Sequence, residues 1–239
     1  SFNRNHMSTM QNLFLIFFGI IGCFGSISAQ EINQTDAAGE RHGIWKKFFP
    51  ESDQLRYEGQ FEHGVEVGTF KFYCNDCGTQ PMVVKEFSSK SDTAMVQYFT
   101  KNGKLVSEGR MKGKDRIGEW LYYHEKSKTI LTREVYMHGQ LDGVKKTYYP
   151  NGNLTEEITY EKGSKEGPNK YYSLDGVLLK KLQFINDLLH GPAEYYDSNG
   201  NVTINGQYLK GKKHGLWKYF KNGKLELEEI YPKPLKGEQ

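Results

Sequence analysis

The chain lacks a dominant charge, a hydrophobic run long enough to cross a bilayer, and all but three cysteines. Its 32 basic and 29 acidic residues leave a net charge of +3 over 239 residues, and the basic ones are dispersed throughout. That dispersal leaves no electrostatic footprint for nucleic acid, so no nucleic-acid partner is expected. The apolar run Leu13 to Ile21 falls well short of the roughly 20 residues a spanning helix needs. Hydrophobic residues reach only 37% while aromatics reach 14%, a balance suited to a thin structure whose core is a single layer of rings.

Motifs that carry chemistry are also missing. There is no GxSxG, no P-loop, no HExxH and no GxGxxG opening a helix, and the abundant carboxylates sit at periodic positions without forming a site of unlike groups. The expectation is no enzyme, no catalytic residue, no cofactor and no metal. His42, His190 and His214 each precede an equivalent glycine. If adjacent units lie two strands apart, about 9–10 Å, His190 and His214 cannot share one zinc ion.

The first 30 residues differ from the rest. The run Leu13 to Ile21 leads into Ser26-Ile27-Ser28-Ala29-Gln30, which reads as an export signal peptide over 1–29, with cleavage after Ala29. Residues 30–40 then read as a flexible lead-in. Such a leader sends the mature chain to the periplasm, the cell envelope or the medium. Ile20-Ile21-Gly22-Cys23 offers a second processing route, a lipoprotein anchored at Cys23. Cleavage after Ala29 leaves only Cys74 and Cys77, in Tyr73-Cys74-Asn75-Asp76-Cys77-Gly78. They stand where other units turn, so a disulfide pinning an altered hairpin tip is expected in an oxidising compartment. A thioredoxin-like role would need a strand–helix context that this segment lacks.

What the chain does have is a repeat. Gly43, Gly68, Gly118, Gly143, Gly167, Gly191 and Gly215 follow one another at gaps of 25, 50, 25, 24, 24 and 24 residues. The 50 is a double step: Thr93 replaces the missing glycine, and Tyr98-Phe99 and Asn102-Gly103-Lys104-Leu105 continue in register. A fixed period in this range marks a stacked architecture in which each unit buries its apolar face against its neighbours.

Each unit reads as a hairpin. Positions two and four beyond the glycine, such as Trp120 and Tyr122 or Trp217 and Tyr219, share one face of a strand because successive side chains alternate. The chain then turns at Asn102-Gly103, Asn151-Gly152, Asp175-Gly176, Asn199-Gly200 or Asn222-Gly223, pairs that accept the positive φ of a tight turn. Apolar residues resume at even offsets on the second strand, for example Leu55, Tyr57, Gly59 and Phe61, or Leu131, Val135 and Met137. The odd offsets carry Glu58, Glu108, Glu134, Glu157 and Glu228, expected to share a solvated face with the lysines of the first strand, at roughly 0.2–1 kcal/mol per cross-strand pair. Eight hairpins make about sixteen strands and, at about 4.8 Å spacing, an elongated all-β antiparallel meander about 75 Å wide. The repeat array covers 41–231, and Pro232 and Pro234 in the tail 232–239 stop further pairing.

The pattern Gly-x-Trp/Phe-x-Tyr-Tyr-x-x-Asn-Gly-x-Leu resembles MORN repeats, in the longer variant found in bacterial proteins known as YwqK-type antitoxins. The seven glycines match the defining glycine, and Trp45, Trp120 and Trp217 match its aromatic partner. The resemblance implies a β-hairpin array without enzymatic activity that binds other proteins or membrane surfaces. Thr93, the Lys126-Ser127 turn, the Cys74–Cys77 tip and the stretch Pro81 to Ser91 depart from it.

The function expected is a monomeric interaction scaffold of the bacterial cell envelope. In each doublet of Tyr122-Tyr123, Tyr148-Tyr149, Tyr171-Tyr172 and Tyr195-Tyr196, period two sends one ring to each face. Tyr123, Tyr149, Tyr172 and Tyr196 are therefore candidates for a partner-binding stripe. Two alternatives stand beside it: an envelope glycan or lipid-surface binder, and an antitoxin or immunity protein that neutralises a toxin directly. Export predicts a native N-terminus at Gln30, which mass spectrometry distinguishes from a lipidated Cys23 or an intact leader.

Overall fold

The computed structural model describes residues 31–233. The segment 1–29 read as an export signal, with Cys23, and Pro234 lie outside the described residues. Among those described there is no helix; nineteen strands form one antiparallel sheet in which each strand pairs with its neighbours in the chain.

A short β1 (Gln34–Thr35) precedes eight hairpins. The first four are β2 (Arg41–Phe48) with β3 (Leu55–Glu62), β4 (Val65–Phe72) with β5 (Val83–Phe87), β6 (Thr93–Phe99) with β7 (Leu105–Lys112), and β8 (Asp115–Tyr123) with β9 (Ile130–Met137). In the fifth, β10 (Gln140–Leu141) and β11 (Gly143–Tyr148) form one strand broken at Asp142; β10 pairs back with β9 and β11 with β12 (Leu154–Glu161). In the sixth, β13 (Ser164–Lys165) and β14 (Gly167–Tyr172) are broken at Glu166 and β14 pairs with β15 (Leu178–Ile185). The last two are β16 (Leu188–Tyr196) with β17 (Val202–Leu209), and β18 (Lys212–Lys221) with β19 (Lys224–Tyr231). The two broken strands and β1 account for the excess over sixteen.

The repeat glycines all take positive φ, from 63° at Gly118 to 120° at Gly143, a region that side chains with a Cβ disfavour. Registers shift beside several of them, as between Glu58 and Gln60 opposite β4 and between Gly109 and Arg110 opposite β8. Where Thr93 replaces glycine, β5 and β6 pair without a shift. The glycine therefore marks a β-bulge between units.

Turn chemistry departs from the expectation at four of the five Asn-Gly or Asp-Gly pairs. Only Asn222-Gly223 has positive φ at both residues; at 103, 152, 176 and 200 only the glycine does. These are longer loops, closed for example by Gly152 N–H donating to the Tyr149 carbonyl and Tyr149 N–H to that of Asn153, a turn followed by a left-handed glycine. Two-residue turns with both φ positive join one hairpin to the next instead, at His63-Gly64, His138-Gly139, Lys162-Gly163, Asn186-Asp187 and Lys210-Gly211.

The core is a row of side chains running across the strands, in which large rings sit on glycines of the preceding hairpin. Phe70 lies over Gly59, Trp120 over Gly109 and Trp217 over Gly206; a Cβ at any of these glycines would fall inside the ring. Trp120, Trp217 and Phe70 are fully buried by this seating. The Trp120 indole donates to the Arg110 carbonyl at 2.9 Å and the Trp217 indole to that of Gln207 at 3.1 Å. Each carbonyl belongs to the residue just after the glycine, so one contact fixes both ring and backbone.

Of the segment 30–40, expected as a flexible lead-in, the described part from Asn33 onward acts as half a hairpin. Gln34 and Thr35 pair with His42 and Arg41, and the Trp45 indole donates to the Gln34 carbonyl at 2.9 Å. Gln34 thus does for Trp45 what Arg110 does for Trp120. Asn33, at φ 59°, takes the place of the glycine, and its Oδ1 accepts the Lys46 N–H at 2.8 Å. Asp36 ties the cap to the next turn through His63 Nδ1 at 2.7 Å.

The second strand of the fourth hairpin is out of phase with the expectation. Val135 and Met137 are exposed, whereas Thr132 and Glu134 are buried, with Glu134 paired to Trp120 and Thr132 to Tyr122 on the ring face. The loop after Tyr123 runs from His124 N–H to the Thr129 carbonyl, one residue longer than Tyr149 to Asn153. Ile130 rather than Leu131 therefore starts the apolar alternation, and a one-residue slip exchanges the faces.

Gly109→Ala and Gly206→Ala should each destabilise by about 1–3 kcal/mol through overpacking, read as a lower urea midpoint. Asn33→Ala should speed hydrogen exchange at the Lys46 amide while leaving the eighth hairpin protected.

Candidate functional site

The two faces of the sheet carry different chemistry. On one face, the residue just after the ring position forms a charged ladder across strands: Lys46 lies 3.4 Å from Glu58, Lys146 3.5 Å from Glu157 and Lys218 3.6 Å from Glu228. These pairs are partly exposed, so each contributes little to stability.

The tyrosine stripe lies on this ladder face. Tyr123 donates its hydroxyl to Glu108 at 2.5 Å, Tyr172 to Glu157 at 3.0 Å, and Tyr196 to Glu194 at 2.8 Å. Tyr73 makes the same bond to Glu58 at 2.9 Å. Successive side chains of a strand point to opposite faces, so the two members of each doublet part: Tyr122 meets Arg116 on the ring face and Tyr123 meets Glu108 on the ladder face, while Tyr195 meets Tyr208 and Tyr196 meets Glu194. Tyr149 does not share their position. It stands six residues after Gly143, where it closes the loop to Asn153 and donates its hydroxyl to the Tyr172 carbonyl at 3.1 Å. Tyr148, five after the glycine and paired with Leu154, holds the place that Tyr123 holds beside Ile130. Burial first and the neighbouring carboxylate second push Tyr73, Tyr123, Tyr172 and Tyr196 up to about 12.

On the ring face, cations lie over the rings. Arg116 stacks on Trp120 at 4.6 Å, Lys213 on Trp217 at 4.3 Å and Arg41 on Trp45 at 5.2 Å. All three follow one sequence rule, a basic residue two before the repeat glycine and a tryptophan two after it. The glycine bulge folds the long side chain back over the ring. The pattern is legible in the sequence as Arg/Lys-x-Gly-x-Trp, yet counting dispersed charges hides it.

Rings give way to polar groups in the middle of the row. Lys145 and Asn169 hold the position two beyond Gly143 and Gly167. Lys145 pairs with Glu134 at 3.1 Å. Asn169 is fully buried; its Oδ1 accepts the Thr159 N–H at 2.9 Å and its Nδ2 has no hydrogen-bond partner.

The remaining candidates sit apart from both rows. Cys74 and Cys77 are joined as a disulfide with Cα atoms 5.2 Å apart, at the tip between β4 and β5. Asp76 sits beside them and forms an ion pair with Lys101 at 2.5 Å. His42 stacks against His63 with ring centroids 4.9 Å apart, and His214 pairs with Gln207 on a different part of the sheet.

Comparison with known proteins identifies the unit. The MORN repeat variant matches residues 141–162 and 189–210, which fall on the fifth and seventh hairpins. The chain carries MORN repeat variants. The remaining hairpins of the array reproduce the strand–turn–strand course of those two MORN units, the disulfide-tipped second hairpin least closely. No curated protein matches the chain. Among solved structures, a point mutant of TarM from S. aureus, in complex with fondaparinux, alpha-GlcNAc-glycerol and UDP, aligns at 12% identity and a TM-score of 0.32. The alignment covers 46% of this chain and 21% of that one, too slight a likeness to carry an argument.

Because Tyr73, Tyr123, Tyr172 and Tyr196 are raised in the folded state, folding holds protons that the unfolded chain releases. Their stabilisation is complete below the ordinary phenol value of 10.0 and is lost as pH climbs toward about 12. Tyrosinate absorbance of the folded chain should lag that of the urea-unfolded chain over this range, and Glu108→Gln should narrow the lag.

Proposed function

We propose that this array is a non-catalytic scaffold of the bacterial cell envelope that binds a protein partner along its tyrosine-bearing ladder face. The observation that supports this reading is the regular presentation of half-buried tyrosines at equivalent positions of successive MORN units, with hydroxyls held by glutamates. Tyrosine offers large contact area at small entropic cost, and a glutamate-held ring loses still less freedom on binding. Since each hairpin contacts mainly its neighbours, the array presents such positions in a rigid row.

By position relative to the repeat glycine, the proposed stripe comprises Tyr73, Tyr123, Tyr148, Tyr172 and Tyr196, with Tyr149 at its margin. Replacing Tyr123, Tyr172 and Tyr196 by Ser should abolish recovery of a partner cross-linked in the native envelope, while circular dichroism still shows the sheet. Recovery equal to that of the unaltered chain would sink the proposal.

A further inference from the structure

One hairpin lacks the internal acceptor that its cation meets elsewhere. In the fourth hairpin Arg116, two before the repeat glycine, donates to the hydroxyl of Tyr122, four after it, at 2.7 Å. In the eighth, Lys213 donates to the equivalent Tyr219 at 2.9 Å. Side chains at these two positions therefore reach one another across the bulge. In the first hairpin the same positions hold Arg41 and Lys47, so two cations face the place where a donor and an acceptor meet in the others. Both line a cavity of about 360 Å³ on the ring face, together with Arg56, Tyr57, Phe72 and Glu66.

Arg41 lies over Trp45 and Phe61 at 5.2 and 5.0 Å. Stacking engages the face of a guanidinium and leaves its in-plane N–H donors free for a planar oxyanion. Among the described residues, Arg41, Lys47 and Arg56 form no ion pair and no side-chain hydrogen bond. The lysines of the opposite face, such as Lys46 and Lys218, have glutamate partners.

We infer that this cavity is a docking site for an acidic peptide segment of a partner protein, whose carboxylate takes the place that the tyrosine hydroxyl fills in the fourth and eighth hairpins. Charge complementarity selects a carboxylate, with three cations against the single carboxylate of Glu66. Glu66 selects a peptide over a uniformly anionic polymer: it repels a continuous run of sulfates or phosphates but accepts a backbone N–H. The Tyr57 and Phe72 rings flank the cations and offer an apolar wall to a neighbouring side chain. This site is on the face opposite the tyrosine stripe and does not depend on it.

The test is fluorescence anisotropy of the full chain with a fluorescein-labelled peptide alternating glutamate and phenylalanine. Saturable, salt-sensitive binding is expected, weakened at least tenfold by Lys47→Tyr and by Arg41→Gln, and unchanged by Lys218→Gln on the ladder face. Lys47→Tyr installs the acceptor that other hairpins already carry, so it keeps the fold while satisfying Arg41 internally. Absence of binding, or equal binding by the Lys47→Tyr variant, overturns the inference. Inorganic phosphate or a sulfated oligosaccharide binding as tightly as the peptide overturns the peptide assignment. Partner recovery that depends on the stripe tyrosines but not on Lys47 would leave the scaffold standing and remove this site.

Discussion

The seating of a large ring on a glycine of the preceding hairpin is the contact on which the array depends. A single-layer sheet has no second layer to cover its apolar face, so burial has to come from within the row. Trp120 over Gly109 and Trp217 over Gly206 achieve it by removing the Cβ beneath the ring, while the indole N–H satisfies a carbonyl of the same strand. The basic side chain folded over the outer surface of the ring completes the enclosure. The third and fourth hairpins, and the seventh and eighth, are coupled through this sandwich of glycine, ring and cation, and stability accumulates along the array by nearest-neighbour terms.

The coupling is uneven. Between Trp120 and Trp217 the row passes through Glu134, Lys145 and Asn169, where a half-buried ion pair and a buried amide with a free Nδ2 replace rings. A buried polar group left without a partner costs about 1–3 kcal/mol, so this stretch is held by its ladder more than by its core. The N-terminal end shows the opposite economy: Asn33 and Gln34 reproduce half of a missing unit and satisfy Trp45. The ends and middle of the array thus differ in kind, although the period is constant.

That difference explains why the first hairpin stands out chemically. Its ring, bulge and cation are those of the fourth and eighth hairpins, but Lys47 stands where they have tyrosine. One substitution within an otherwise shared geometry leaves Arg41 with donors and no internal acceptor. The stripe on the other face arises from the same regularity, with Tyr73, Tyr123 and Tyr172 each reaching a glutamate of the preceding second strand.

The glycine spacing, the alternation of ring and lysine on the first strands, and the Leu that restarts the pattern after each turn determined the sheet, its order and the faces of most side chains, because period and alternation are local properties. Tertiary structure decided what depends on one residue of loop length or on neighbouring hairpins. The longer loop after Tyr123 moved Glu134 into the core, and Tyr149 closes its loop onto Asn153, leaving Tyr148 beside Leu154 where Tyr123 stands beside Ile130. Residues 33–36 became a cap because Trp45 requires a carbonyl that only a preceding strand supplies. The meeting of Arg41 with Lys47 was likewise decided in space, since only the bulge brings together side chains six residues apart on one strand.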